Sequence, residues 1–251
     1  MFQLPKLGPA ARGLMISLAV LWLLHALLAE TQWASAIAAL QLRPADLLRG
    51  WLWQPFTALL IHPAGSLGAL AFPLLFLWFY AAPYEERVGP KPMLLAFFAT
   101  GLTGNIAASA VTLLASALLS HPPAALDASH TLVGASSAVL GVTAAYLGLQ
   151  RGEVLQLAIF GKVRAQSLAM GLIGVSAAFS ATGGESSPWA HLAAGGLGWW
   201  LGTRAAPSRP RGQQKPRPRP KLQVLEGGNP DPNPSRGRGW GARREDPDQW
   251  H

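Results

Sequence analysis

Cysteine is absent from the 251 residues, which excludes disulfides, thiolate nucleophiles and cysteine-based metal sites while leaving the redox compartment open. Charge is scarce as well. Asp, Glu, Lys and Arg make up 13% of the chain, about half the roughly 25% of a soluble domain. Half of the residues are hydrophobic, and a chain so composed is read as a membrane protein. The charge it has is uneven: eleven of the 20 Lys and Arg and five of the 12 acids lie from Arg204 onward, net +6 there against net +2 for the rest. A basic total invites a nucleic-acid reading, but no recognition module accompanies it. Attraction of the tail to anionic lipid headgroups is the simpler account, and no nucleic-acid partner is expected.

Six stretches lack Lys, Arg, Asp and Glu over close to the 17–25 residues that cross a bilayer. They are Gly13 to Ala29, Leu67 to Ala82, a segment inside Pro92 to Ser120, Thr131 to Gln150, Ala165 to Gly184, and Ser186 to Thr203. All are expected to be helical, because an open chain in lipid has no other way to satisfy its backbone groups. The fold class is therefore an all-α membrane protein, a bundle of six transmembrane helices. It divides into an N-terminal segment 1–12, a membrane domain 13–203 and a tail 204–251. Lys6 and Arg12 ahead of an apolar run, with Ala34-Ser35-Ala36 after it, resemble a cleaved signal. The run is long for a signal core, however, and removing it would leave an odd number of spans.

Basic residues set the orientation. With the N-terminus cytoplasmic, the inner segments hold Lys6, Arg12, Arg87, Lys91, Arg151, Lys162, Arg164 and the eleven of the tail, 18 in all, against Arg43 and Arg49 outside. Both termini are thus expected in the cytoplasm. The first outer loop, Glu30 to Ser66, carries Trp51-Leu52-Trp53-Gln54-Pro55-Phe56 and is expected to sit in the headgroup region, where Trp is favoured. Val154 to Gly161 is expected to rest on the inner surface. The tail, with Arg209-Pro210-Arg211 and Pro216-Arg217-Pro218-Arg219-Pro220-Lys221, reads as extended and disordered.

Two features carry chemistry: Gly134-Ala135-Ser136-Ser137 at the start of span four, and His191 near the start of span six. Both spans run from outside to inside, so Ser136 and His191 fall at similar depth near the outer ends. A hydroxyl becomes a nucleophile when an adjacent base takes its proton, and a neutral imidazole is the usual base. Small residues at Gly134, Ala138, Gly141, Ala145 and Gly148 on span four, and at Ala194, Gly198 and Gly202 on span six, permit close helix packing in lipid. Ser187-Pro188 reads as a cap followed by a first-turn proline. A serine in a membrane helix is more often a packing residue or bonded to a backbone carbonyl. A histidine in an apolar span is a functional candidate by default. His25 in span one, with no serine motif at matching depth, is read as structural or interfacial.

These residues resemble the rhomboid family. Gly134-Ala135-Ser136-Ser137 is similar to its nucleophile motif, and Ala190-His191 with Ala194 and Gly198 to its sixth-helix histidine motif. Trp53-Gln54-Pro55-Phe56-Thr57 with His62 is similar to its first-loop signature, and Trp78, Glu85 and Gly89 match the end of its second helix. The likeness runs over residues 10 to 203. It implies a six-helix bundle with a membrane-embedded first outer loop in a bacterial inner membrane. It implies a serine endopeptidase without metal or organic cofactor, in which Ser136 is the nucleophile and His191 the base, supported by Gly134 and Ser137. The implied partner is a membrane-anchored protein substrate, cut near the outer face where its transmembrane helix carries small or helix-destabilising residues. Most bacterial members carry a His and an Asn four residues apart on the second helix to hold the oxyanion, and Leu67 to Pro73 has neither. The backbone N–H of Ser136 and the positive end of its helix, or Ser137 or His62, are the candidate replacements. The alternative class is a pseudoprotease that binds transmembrane helices uncut. A transporter would need polar groups near mid-membrane, for which Asn105 is the candidate.

Overall fold

The computed structural model describes residues 5–123, 126–157, 161–181 and 187–205; the expected tail beyond Ala205 and the residues just before Ser187 lie outside them. Helix α1 spans Pro9–Leu28, and three short helices follow in the segment expected as the first outer loop: α2 (Ala34–Ala38), α3 (Pro44–Leu47) and α4 (Gln54–Thr57). Helix α5 (Leu67–Phe76) passes through a π turn (Leu77–Ala81) into α6 (Ala82–Val88), and α7 (Pro90–Leu118) follows. Then come α8 (Ser136–Leu149), the strands β1 (Val154–Leu157) and β2 (Gly161–Arg164), α9 (Ala165–Ala181) and α10 (Pro188–Arg204). Proline stands at the first position of α1, α7 and α10, where its missing N–H is no loss.

Three continuous helices are long and apolar enough to cross a membrane by length and composition: Pro9–Leu28, Leu67–Val88 and Pro90–Leu118. The other three are shorter, with 14 residues in α8 and 17 each in α9 and α10. Large apolar side chains lie exposed along their outer faces, among them Ile16, Leu27, Leu95, Ile106, Val175 and Phe179. A water-facing protein does not expose apolar area on this scale; lipid is the solvent that suits it.

Helix α8 is enclosed by its neighbours, α7, α9, α10 and the π turn. Nearly all of its residues are buried. Burial alone does not drive helix association in lipid, so close fit must do it. A methyl at Gly198 would strike the Gly141 carbonyl, and one at Gly202 the Ala145 carbonyl. The backbones of α8 and α10 therefore touch along Gly141, Ala145, Gly148, Gly198 and Gly202. Ala138 belongs to a different contact: it meets Gly101 of α7, where an added methyl would stand 2.7 Å from the Ala138 Cβ.

Two expectations for individual polar residues resolve into bracing contacts. Asn105 donates from Nδ2 to the Pro55 carbonyl at 2.7 Å and is buried. It ties α7 to the first outer loop, and the observation on which a transport reading rested is thereby accounted for. Glu85 is buried and accepts the N–H groups of Ala10 at 3.0 Å and Ala11 at 2.7 Å. A carboxylate at that end satisfies two of the four donors a helix start leaves open and opposes the positive pole of α1. Trp78 donates from Nε1 to the Pro5 carbonyl at 3.1 Å, so the second span holds the entry to the first at two points.

The first outer loop exposes Leu48, Leu52, Trp53 and Phe56 while burying Gln54 and His62. Gln54 Oε1 accepts the Arg43 N–H at 3.1 Å, and Trp53 donates from Nε1 to the Ala39 carbonyl at 3.0 Å. The loop thus has an apolar outer face pinned by polar contacts within. The expected inner-surface segment is an antiparallel hairpin, with Val154 opposite Arg164 and Gln156 opposite Lys162. Its remaining residues, 158–160, lie outside the described set.

Candidate active site

Span four was expected from Thr131, but the helix starts at Ser136 because the residues before it pair elsewhere. Leu132 forms an isolated β-bridge with Leu42, and the Gly134 N–H goes to the Ala58 carbonyl at 2.9 Å. Gly134 sits at φ +99°, a left-handed conformation that costs a side-chain-bearing residue about 1–2 kcal/mol. The next N–H, that of Ala135, goes to His62 Nε2 at 3.2 Å. Two successive residues are therefore anchored to the first outer loop, and the chain enters α8 with Ser136 as its first residue. The N–H groups of this first turn have no carbonyl of their own helix to meet.

His62 is buried, and its carbonyl accepts His25 Nδ1 at 2.6 Å. His25 thus has a structural contact. Because Ala135 donates to it, Nε2 of His62 carries no proton. Burial lowers His62 from an ordinary 6.5 to about 4, which keeps the ring neutral.

His191 is the fourth residue of α10 and is buried. Its Nδ1 lies 3.1 Å from the Ser187 carbonyl and 2.9 Å from the Ser180 hydroxyl of α9. Ser180 in turn donates to the Ser176 carbonyl at 2.7 Å. Ser180 was not singled out in the sequence, where a serine one turn beyond Ser176 gives no sign that it reaches another helix.

Ser136 and His191 line one cavity of about 710 Å³, walled by Gly68, Ala69, Phe72 and Pro73 of α5 and by Val175, Ser176, Phe179 and Ser180 of α9, with His62 and Ser66 also reaching it. Among the described residues no hydrogen bond joins Ser136 Oγ to His191. The side chains of α5 that reach the cavity bring it no hydrogen-bond donor. Ser137 is turned toward α7, where a methyl at Gly104 would stand 3.3 Å from its Cβ. It lines a separate small cavity with Asn105, Ser136 and Ser187.

This arrangement brings a hydroxyl at a helix start and an imidazole whose Nδ1 is held to one cavity of about 710 Å³. A family model described as the Rhomboid domain matches residues 49–208, and thus both Ser136 and His191. No curated protein matches the chain.

Proposed function

We propose that this chain, which belongs to the rhomboid family of intramembrane proteases and pseudoproteases, is an active serine endopeptidase working through Ser136 and His191. The observation that carries the reading is their presence on one cavity of about 710 Å³, large enough for an extended peptide segment. Ser136 Oγ attacks the scissile carbonyl and passes its proton to His191. The tetrahedral intermediate collapses as His191 returns that proton to the departing amine. Water then resolves the acyl-enzyme by the same steps in reverse order. The anion is held by N–H groups of the first turn of α8 and by that helix's positive end, with Gly134 shaping the turn and Ser137 supporting it. No cofactor enters the scheme.

The substrate is a membrane-anchored protein whose transmembrane helix is cut near the outer face, and the enzyme sits in a bacterial inner membrane with both termini cytoplasmic. The membrane domain 13–203 does the chemistry, and the segments 1–12 and 204–251 flank it on the inner side. Labelling of the detergent-solubilised protein with a fluorophosphonate is the test. Wild type should label, while Ser136→Ala should not and His191→Ala should label at least 100-fold more slowly.

The second reading, a pseudoprotease that holds transmembrane helices uncut, is favoured by one observation. Gly68, Ala69, Phe72 and Pro73 face the cavity where the family's oxyanion side chains would stand, and one lost donor costs about 100- to 1000-fold in rate. A wild-type protein that neither labels nor cleaves, yet co-purifies with a transmembrane peptide, would establish it in place of the protease.

A further inference from the structure

We infer that Ser180 is a positioning residue for His191, one that fixes which ring nitrogen is free to act as the base; the inference rests on the protease reading above. Two oxygens meet Nδ1 of His191: the Ser187 carbonyl at 3.1 Å and the Ser180 hydroxyl at 2.9 Å. A carbonyl only accepts, so its partner nitrogen must carry a proton. The Ser180 hydroxyl directs its own proton to the Ser176 carbonyl at 2.7 Å, which turns a lone pair toward Nδ1. Both contacts therefore ask for the same tautomer, with the proton on Nδ1 and the lone pair on Nε2.

That tautomer is the one a serine dyad requires. In a triad the acid accepts from the imidazole and keeps the base nitrogen bare; a wrong tautomer there lowers turnover by about four orders of magnitude. Here one carbonyl from the start of α10 and one hydroxyl from α9 occupy that place. The Ser187 carbonyl moves with α10 itself, since Ser187 also accepts the His191 N–H at 3.3 Å. Ser180 comes from a different helix, and it is the contact that fixes the ring against α9. The ring is buried, so the tautomer is set by these protein groups rather than by solvent. When Nε2 takes the proton of Ser136, both oxygens accept from a cation instead of a neutral ring, and a charge-assisted hydrogen bond is roughly twice as strong.

The experiment combines nitrogen NMR with kinetics on the full-length protein in detergent. With ¹⁵N-labelled histidine, the His191 signals are assigned by their loss in His191→Gln. Wild type should show a protonated Nδ1 and a bare Nε2. Ser180→Ala should mix the two tautomers, lower kcat on a single-span reporter substrate about tenfold and leave KM unchanged. Ser180→Thr, which keeps the hydroxyl, should restore both the signals and kcat. Unchanged nitrogen signals and kcat in Ser180→Ala would overturn the proposal, as would equal losses in the Ala and Thr variants, since those would report packing alone. If wild type neither cleaves nor labels with fluorophosphonate, the protease reading falls. The nitrogen signals then decide Ser180 by themselves: a protonated Nε2 in wild type overturns the assignment, and a bare Nε2 that becomes protonated in Ser180→Ala sustains it.

Discussion

His62 Nε2 accepts the N–H of Ala135 at 3.2 Å across 73 residues of chain, fixing the first outer loop to the residue immediately before Ser136. Removing the imidazole leaves a buried backbone donor without a partner, which costs about 1–3 kcal/mol. His62→Ala is therefore expected to lower the unfolding midpoint in detergent and to slow fluorophosphonate labelling at least tenfold. Labelling at the wild-type rate would show that the turn before Ser136 holds its shape through Gly134 and Ala58 alone.

The same residue predicts a pH dependence of stability. His62 takes up a proton near pH 6.5 when unfolded and only near about 4 when buried. Between those values the unfolded state binds more protons, so stability falls as the pH falls. The contribution is complete above about pH 6.5 and is lost progressively toward pH 4, amounting to about 3 kcal/mol. Unfolding midpoints of wild type and His62→Gln, followed by tryptophan fluorescence across that range, should converge as the solution is acidified. Parallel curves would mean that His62 does not titrate between the two states.

Gly198 lies against the Gly141 carbonyl, whereas a methyl at Gly196 would meet nothing within 4 Å. Gly198→Ala should force α10 away from α8 and cost about 1–3 kcal/mol. The displaced His191 should also slow labelling. Gly196→Ala serves as the matched control and should behave as wild type. If the two variants melt alike, the close approach of α8 and α10 contributes little.

The missing oxyanion side chains can be restored at a defined register. Gly68 and Phe72 are four residues apart and both face the cavity, and a Cβ at Gly68 would meet nothing within 4 Å. Gly68→His with Phe72→Asn should raise turnover by about tenfold or more, given what one such donor contributes. The pair at Leu67 and Ala71 does not line the cavity and should change nothing. An equal gain at both registers would point to a general effect on α5 rather than a donor at the anion.

The helices were legible in the sequence because a charge-free run in lipid has one structural solution; His191 stood out because an ionisable side chain is rare in such a run, and Ser136 because its small-residue motif falls at the same depth. The boundaries were less legible. α1 begins at Pro9 rather than Gly13 because Glu85, far along the chain, satisfies its first donors. α8 begins at Ser136 rather than Thr131 because Leu132 and Gly134 pair with the first outer loop. The π turn at Leu77–Ala81 leaves no mark in composition, since a span reads as equally apolar with or without it. The small-residue stripe of span four conceals two partners: Ala138 serves α7, Gly141 turns its Cα hydrogen side to Thr100 of α7 and its carbonyl to Gly198 of α10, and Ala145 and Gly148 serve α10. Ser180 was invisible for a related reason: its contact with His191 depends on where α9 lies, and no spacing within α9 encodes that.

The capping of α1 by Glu85 also bears on the order in which the chain can complete itself. The start of α1 is finished by a residue made 74 positions later. Until α6 arrives, the donors of Ala10 and Ala11 have only water or headgroups to meet. α1 therefore enters the membrane as a provisional element. It takes its final place only when the second span has crossed and α6 delivers the carboxylate.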